Sequence, residues 1–324
     1  MRASWKIWLN YGLGPILFAV LSWSLYQQIR QRPNLEESWN AIRTNLFSPG
    51  MIVIAAMMLV NWGIESRKWQ WLVNRVQPFG WWRAFQSVLS GCSVTMLTPN
   101  RIGEYGGRVL YVEEGNRIAA VSLTIVGSIS QLLITIWMGC VGVFYLILFN
   151  KSEATSVHIL PVLWTDVLLV MSVAGALLLT GFYFRISWLV QLLERQPRLE
   201  RWLKHIRVLE ALDTTLLWRL LWLSLLRYFV FMVQYLLMLW LMDVQVPPVL
   251  GFWLLALFYL VMAIAPTFGF VELPVRISAS WLIFSFTENE LGVGAAALAI
   301  WLVNLVVPAI IGSLLILRVR IWKT

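Results

Sequence analysis

Charged residues are scarce in this sequence: aspartate, glutamate, lysine and arginine together make up 13% of its 324 residues, whereas 60% are apolar. The mean hydropathy is +0.74. Soluble domains are about 25% charged on average. The composition therefore excludes a soluble globular protein and predicts a chain that lies in a lipid bilayer.

Cysteine and histidine are also scarce, with two residues of each. Cys92 and Cys140 lie inside apolar stretches without metal-ligand spacing, which indicates free, buried thiols. The sequence contains no P-loop pattern and no Gly-x-Ser-x-Gly pattern. These absences argue against metal, redox and ATP-driven chemistry. We expect no cofactor, no metal site and no nucleic-acid partner.

Apolar stretches of about 20 residues, long enough to cross a membrane, predict an all-α polytopic membrane protein with a single transmembrane domain over residues 1–324. About six full spans are predicted, at 7–27, 50–65, 119–149, 162–184, 216–242 and 292–317. The first stretch lacks a small-residue cleavage site, so we expect it to stay attached as a span. Shorter stretches at 84–98, 249–265 and 277–287 predict two re-entrant or broken helix elements, and their length leaves open whether the last two cross fully.

Lysine and arginine mark the cytoplasmic side of most multi-pass proteins. This rule assigns the C-terminal tail and both termini to the cytoplasm, together with the basic residues that precede segment 84–98: Arg67, Lys68, Arg75 and Arg83. Segment 185–215 places leucines on one helical face and basic residues elsewhere. That pattern predicts an amphipathic linker on the cytoplasmic leaflet.

Two of the apolar stretches end at a proline that is followed by a carboxylate and an arginine four residues apart. The first break contains Pro99, Gly103, Glu104 and Arg108, and the second contains Pro266, Gly269, Glu272 and Arg276. Matching broken helices in two halves of a membrane protein are typical of transporters built from inverted repeats, with the substrate site between them. We predict a first repeat at about 50–149 and a second, of opposite orientation, at about 216–317.

The charges of the two breaks would together cost on the order of 10 kcal/mol if they faced lipid. We therefore expect them to face protein or water, paired at i and i+4 on one helical face. The alternative is two ordinary salt bridges at helix ends. Arg101 makes the first break net positive, which suits a phosphate. Four glycines, Gly103, Gly106, Gly107 and Gly269, are interpreted as turn residues at positive φ, with an approach of backbone amides to an anion as the alternative.

Other polar residues lie at predicted membrane depth. Ser87 to Thr95 are assigned to helix packing. Glu65 and Arg227 are interpreted as residues near span ends whose side chains reach the membrane surface, with a role in a transport pathway as the alternative.

The run Thr98-Pro99-Asn100-Arg101-Ile102-Gly103-Glu104, with Arg108 following, resembles the Thr-Pro-Gly-Arg-x-Gly-Glu signature of the flippase-like transmembrane family of lysylphosphatidylglycerol synthase. The second break is similar to that family's second motif at Pro266, Gly269 and Glu272, but it lacks the paired glycines and is one residue shorter. The resemblance implies a protein of a prokaryotic cytoplasmic membrane that moves a lipid or a lipid-linked headgroup. It covers the membrane region only, so we expect no lipid synthesis by this chain.

The leading hypothesis is a flippase that moves a phospholipid or a lipid-linked headgroup across the cytoplasmic membrane without ATP. In this hypothesis, the phosphate is bound by Arg101, Arg108 and Arg276. When the cavity is empty, Glu104 and Glu272 pair with these arginines. One alternative is a membrane-embedded enzyme in which Glu104 or Glu272 is a general acid or base. Another is a non-catalytic subunit of a lipid-modifying enzyme. The expected partners are anionic membrane lipids, and a homo-oligomer or a lipid-modifying enzyme is left open.

Overall fold

The computed structural model describes residues 23, 43, 48–96, 98, 102–150, 162–186, 207–264 and 272–317. The regular structure of these residues is entirely helical, as the sequence predicts. Numbered in chain order among the described residues, the helices are α1 (Pro49–Val73), α2 (Trp81–Thr95), α3 (Gly103–Val109), α4 (Arg117–Asn150), α5 (Val162–Phe184), α6 (Thr214–Leu241), α7 (Pro248–Ile264), α8 (Glu272–Ile283), α9 (Glu290–Trp301) and α10 (Val307–Ile316).

Five segments of the described chain are long and apolar enough to cross a membrane: Pro49–Val73, Glu114–Leu148, Asp166–Phe184, Thr214–Leu241 and Glu290–Ile316. Each corresponds to a predicted span. The predicted span at 7–27 lies outside the described residues, as does most of the predicted linker at 185–215. Helix α1 continues to Val73 instead of ending near residue 65, which places more of its polar residues inside the span.

Four short helices surround the two predicted breaks. Helix α3 has 7 residues and α8 has 12. Helix α7, with 17 residues, is about 25 Å long and is shorter than the hydrocarbon core of about 30 Å. Helix α8 begins at Glu272, five residues before the predicted start at 277, so Glu272 and Arg276 lie within a helix and share one of its faces.

The two halves of the described chain follow the same order of long helix, short helix, short helix and long helix. Their contacts are reciprocal: α4 packs on α7, α10 packs on α2, and α1 packs on α6. Glycines permit both of the first two contacts. Gly139 of α4 lies against the Leu260 side chain of α7, and Gly312 of α10 lies against the Leu89 carbonyl of α2. Small residues at such positions allow membrane helices to approach closely.

Close packing of α3 on α2 fixes the position of the first break. A Cβ added to Gly103 would overlap the carbonyl oxygen of Val94, and one added to Gly107 would overlap that of Ser90 and lie 2.6 Å from Gly91 Cα. No glycine of the described residues has a positive φ. The interpretation of Gly103, Gly106 and Gly107 as turn residues at positive φ is therefore wrong, because all three are helical. At Gly103 and Gly107 the close contact with α2 leaves no room for a side chain.

Hydroxyl groups join these helices, which agrees with the assignment of Ser87 to Thr95 to packing. Ser87 Oγ donates a hydrogen bond of 2.8 Å to the Arg108 carbonyl, and Ser93 Oγ donates one of 2.8 Å to the Ala309 carbonyl of α10. Ser90 Oγ donates to the Tyr111 hydroxyl over 3.1 Å. Burial raises the pKa of this tyrosine, so its phenol stays neutral.

A π-helical segment, Leu302–Val306, connects α9 and α10. Its cause is Pro308, which has no backbone N–H to donate to the carbonyl four residues earlier and whose ring crowds that carbonyl. Asn304 lies in this segment and donates a hydrogen bond of 2.9 Å to Gln234 Oε1. Gln234 in turn donates one of 2.9 Å to the Ile54 carbonyl, so a buried polar chain links the π-helical segment, α6 and α1.

Candidate functional site

A cavity of about 680 Å³ lies where the two halves meet. Its volume falls within the range of about 300–1,000 Å³ that is usual for small-molecule sites. Three acidic and three basic side chains from four helices line it: Glu65, Lys68, Glu104, Arg227, Glu272 and Arg276. The two predicted breaks therefore contribute to one cavity, together with charges that come from α1 and α6.

The first break forms an ion pair inside the protein. The Arg108 guanidinium donates through Nη2 to Glu104 Oε1 and, over 2.8 Å, to Glu65 Oε1. Arg108 is only 1% exposed and lies behind the cavity wall, whereas the Glu104 carboxylate reaches the cavity. Arg108 therefore holds Glu104 and Glu65 in place from the protein side.

The second break repeats the i, i+4 arrangement. Arg276 Nη2 lies 3.1 Å from Glu272 Oε1, and both side chains are buried and line the cavity. Glu272 is the first residue of α8, where the helix dipole favours a negative charge. Tyr235 of α6 and Ser280 of α8 share a hydrogen bond of 3.0 Å that fixes the helix against its neighbour.

Glu65 of α1 connects the charges of the site. Its Oε1 accepts from Arg108, while its Oε2 lies 2.9 Å from Lys68 Nζ and 2.8 Å from Arg227 Nη1. Arg227 Nε also donates over 2.7 Å to Asn61 Oδ1. One buried carboxylate thus holds three cations. Removing one partner from a buried ion pair typically costs about 3–5 kcal/mol, because the other charge stays buried.

These charges lie deep within spanning helices. Glu65 is about 24 Å from the N-terminal end of an α1 helix about 37 Å long, and Arg227 is close to the midpoint of α6. Both are buried and paired. The interpretation of Glu65 and Arg227 as span-end residues that reach the membrane surface is therefore wrong.

Each arginine of the site also lies over an aromatic ring, within the distance at which cation–π attraction operates. Arg108 is 5.4 Å from the Trp69 ring centroid, and Arg227 is 5.2 Å from that of Trp62. Arg276 is 5.6 Å from that of Phe258. The rings therefore add cation–π attraction to the ion pairs that hold these arginines.

The uncharged part of the wall contains polar atoms that have no hydrogen-bond partner among the described residues. Three of them are donors on buried residues that line the cavity: Trp62 Nε1, Tyr228 Oη and Trp301 Nε1. An unpaired buried polar group costs about 1–3 kcal/mol. These atoms have almost no accessible surface, so they lie beneath the cavity wall. The neutral polar side chains that line the cavity, among them Gln131 and Thr135, lie beside its charged groups.

Among the predicted site residues, Glu104, Glu272 and Arg276 line the cavity and Arg108 supports it from behind. Four predicted residues lie outside the described part of the chain: Pro99, Arg101, Pro266 and Gly269. Gly103 begins α3. The substrate-binding roles stay predictions for all five charged residues of the breaks: Arg101, Glu104, Arg108, Glu272 and Arg276. No cluster of three or more metal-ligating side chains occurs in the described residues.

Lys68 is a site residue that sequence reasoning missed, because its positive charge was assigned to the cytoplasmic surface. The structure places it 1% exposed on α1, with its Nζ on Glu65. A signal was present in the sequence. Asn61, Glu65 and Lys68 follow one another at intervals of four and three residues, which is the spacing of one helical face.

Residues 7–312 of the chain match the family described as the lysylphosphatidylglycerol synthase TM region. The match covers nearly all of the 324 residues, and the chain belongs to this family. It is a multi-pass membrane protein related to lipid modification or transport. Comparison with curated proteins and with solved structures gives no match.

Proposed function

We propose that this family member is a flippase that moves a phospholipid or lipid-linked headgroup across a prokaryotic cytoplasmic membrane without ATP, with both termini in the cytoplasm. The observation that carries the proposal is the shared cavity: charged side chains from both breaks, and from the first long helix of each half, line one chamber inside an apolar bundle. Charges at membrane depth mark substrate or ion pathways in membrane proteins.

The reciprocal contacts of the two halves support the predicted inverted repeat. Each half packs its last long helix on the first short helix of the other half, and glycines permit both contacts. A pair of units related in this way can rock against each other and expose the site between them to either side in turn. The first repeat would then comprise α1 to α4, and the second α6 to α10.

In the proposed mechanism the headgroup enters the cavity while the acyl chains stay in the lipid. The anionic part of the headgroup competes with Glu272 for the Arg276 guanidinium, which lines the cavity. The hydroxyl and amide side chains of the wall pair with its other polar atoms. Because the site supplies replacement partners, the headgroup does not lose its hydration without compensation, which is the main barrier to crossing an apolar layer.

The test measures lipid movement in vesicles that contain the purified protein and a fluorescent phosphatidylglycerol. A quencher that cannot cross the membrane reaches the labelled lipid of the outer leaflet only, so label on the inner leaflet stays fluorescent until the lipid moves. We expect wild-type protein to make the inner-leaflet label accessible. Arg276→Gln should slow this by about tenfold or more, the effect of one charge-assisted hydrogen bond.

The matched control is Arg67→Gln, because Arg67 lies on the exposed face of α1, where it donates to Gln70. Its rate should equal that of the wild type. If the wild-type protein leaves the label on its original leaflet, the flippase proposal fails. Recovery of chemically altered lipid would instead favour the membrane-embedded enzyme.

A further inference from the structure

The positive charge of the cavity is concentrated on one side. Around Glu65, the three cations Lys68, Arg108 and Arg227 face two carboxylates, those of Glu65 and Glu104, so this cluster keeps one formal positive charge. The Glu272–Arg276 pair is balanced one to one. Among the described charges that line or support the cavity, the excess positive charge therefore belongs to the Glu65 cluster and not to Glu272 and Arg276.

Within that cluster, two cations line the cavity. Lys68 and Arg227 line it, whereas Arg108 lies behind the wall and its Nη2 is shared by two carboxylates. Lys68 and Arg227 both contact the same oxygen, Glu65 Oε2, at 2.9 and 2.8 Å. Two cations thus share a single carboxylate oxygen at the cavity wall.

Both of these cations keep donor capacity. Arg227 uses Nε for Asn61 and Nη1 for Glu65, and its Nη2 donates to no described residue. Lys68 donates to Glu65 and, over 3.3 Å, to Ser224, which accounts for two of the three protons on Nζ. A planar guanidinium beside an ammonium is a favourable arrangement for the oxygens of a phosphate.

We propose that Lys68 and Arg227 form the anion site of the cavity, that its ligand is a singly charged phosphodiester such as a phospholipid headgroup, and that Glu65 is the internal counter-ion that this ligand competes with. The assignment rests on the proposed function for its physiological meaning, but it concerns binding alone. It differs from the sequence-based hypothesis, which assigns the phosphate to Arg101, Arg108 and Arg276. One negative charge on the ligand neutralises the one excess positive charge of the cluster.

The experiment measures lipid binding to the purified, detergent-solubilised protein by native mass spectrometry. The probes are phosphatidylglycerol, whose headgroup contains an anionic phosphodiester, and diacylglycerol, which has no phosphate. We expect the wild type to prefer phosphatidylglycerol. Lys68→Gln and Arg227→Gln should each weaken phosphatidylglycerol binding by about tenfold or more and leave diacylglycerol binding unchanged.

Glu65→Gln gives the most discriminating result, because competition predicts tighter binding of phosphatidylglycerol in this variant. If Glu65 only holds the helices together, this variant should bind more weakly, as Lys68→Gln does. The control is Arg67→Gln, which removes a positive charge next to Lys68 on the outer face of the same helix. It should bind like the wild type.

The proposal is overturned if Lys68→Gln and Arg227→Gln keep the wild-type preference for phosphatidylglycerol, or if both lipids lose affinity equally. If Glu65→Gln does not give a folded protein, those two variants still decide the matter, because each leaves Glu65 with two cations. Displacement of phosphatidylglycerol by soluble glycerophosphoglycerol supports recognition of the phosphodiester alone. Retained selectivity without displacement supports recognition of the phosphodiester in its lipid form.

Failure of the flippase proposal gives a different pattern. In that case the vesicle assay shows no lipid movement by the wild type, while the binding preference and its loss in Lys68→Gln remain. Conversely, lipid movement by the wild type together with unchanged selectivity in both variants refutes the anion site only.

Discussion

Two adjacent glycines of α3 provide a sharp test of how the first break is held. Gly106 and Gly107 are both helical, and they differ only in what surrounds them. Nothing lies within 4 Å of a Cβ added to Gly106, whereas a Cβ on Gly107 would overlap the Ser90 carbonyl oxygen and the Gly91 backbone of α2. Substitution of each by alanine therefore separates helix propensity from close packing.

The expected effects have opposite signs. Alanine is more favourable than glycine in a helix by about 0.8–1.0 kcal/mol, so Gly106→Ala should be neutral or stabilising. Gly107→Ala gains the same propensity, but the atoms that its methyl group meets are backbone and cannot rotate away. Overpacking of this kind costs about 1–3 kcal/mol and sometimes more. We expect a net loss of about 1–2 kcal/mol and a displacement of α3 from α2.

The measurement is thermal unfolding of both variants and the wild type in one detergent, followed by the vesicle assay. Gly107→Ala should unfold at a lower temperature and move lipid more slowly, because the shift of α3 also moves Glu104 and Arg108. Gly106→Ala should match the wild type in both assays. Equal behaviour of the two variants would refute the reasoning, since it would mean that α3 does not pack on α2 through Gly107.

Three further substitutions test other contacts by the same unfolding measurement. Asn304→Leu leaves the buried Gln234 Oε1 without its donor at 2.9 Å, and it should destabilise the protein by about 1–3 kcal/mol. Unchanged stability would contradict the buried polar chain between α6 and the π-helical segment. Gly312→Ala should destabilise it by about 1–3 kcal/mol, because a Cβ there overlaps a backbone carbonyl of α2, and wild-type stability would argue against the close approach of α10. Arg75→Ala removes only the exposed ion pair with Asp213, so a change within about 1 kcal/mol is expected and a larger loss would show that this pair matters more than its exposure indicates.

The pairs in the two breaks were predictable because their spacing is local. Glutamate and arginine four residues apart meet on any helix, and the structure confirms both ion pairs, Glu104 with Arg108 and Glu272 with Arg276. The all-helical class and five of the predicted spans follow equally from composition and run length. Local patterns of this kind do not depend on which helix packs against which.

The centre of the site was not predictable in the same way. Glu65 and Arg227 are 162 residues apart in sequence, and only the packing of α1 on α6 brings them within 2.8 Å. The position of Lys68 depends on where α1 ends, which the hydropathy pattern places about two turns too early. A lysine near the end of an apolar run resembles a surface charge, and only its burial shows otherwise.

The location of Glu65 suggests how binding is coupled to movement in the proposed mechanism. Among the described residues of the site, four ion pairs each lie within one half of the chain. The pairs Glu65–Lys68, Glu65–Arg108 and Glu104–Arg108 belong to the first half, and Glu272–Arg276 belongs to the second. Glu65 with Arg227 is the pair that joins α1 to α6.

A rocking motion between the halves must stretch or exchange the contact between Glu65 and Arg227. A phosphodiester that binds Arg227 in place of Glu65 would release that contact. An anion bound at this point therefore replaces the link between the halves at the moment it occupies the site. Because a ligand shifts an equilibrium only by its differential affinity for the two states, placing the anion site at Arg227 gives the substrate that difference, whereas a site confined to Arg276 and Glu272 would not.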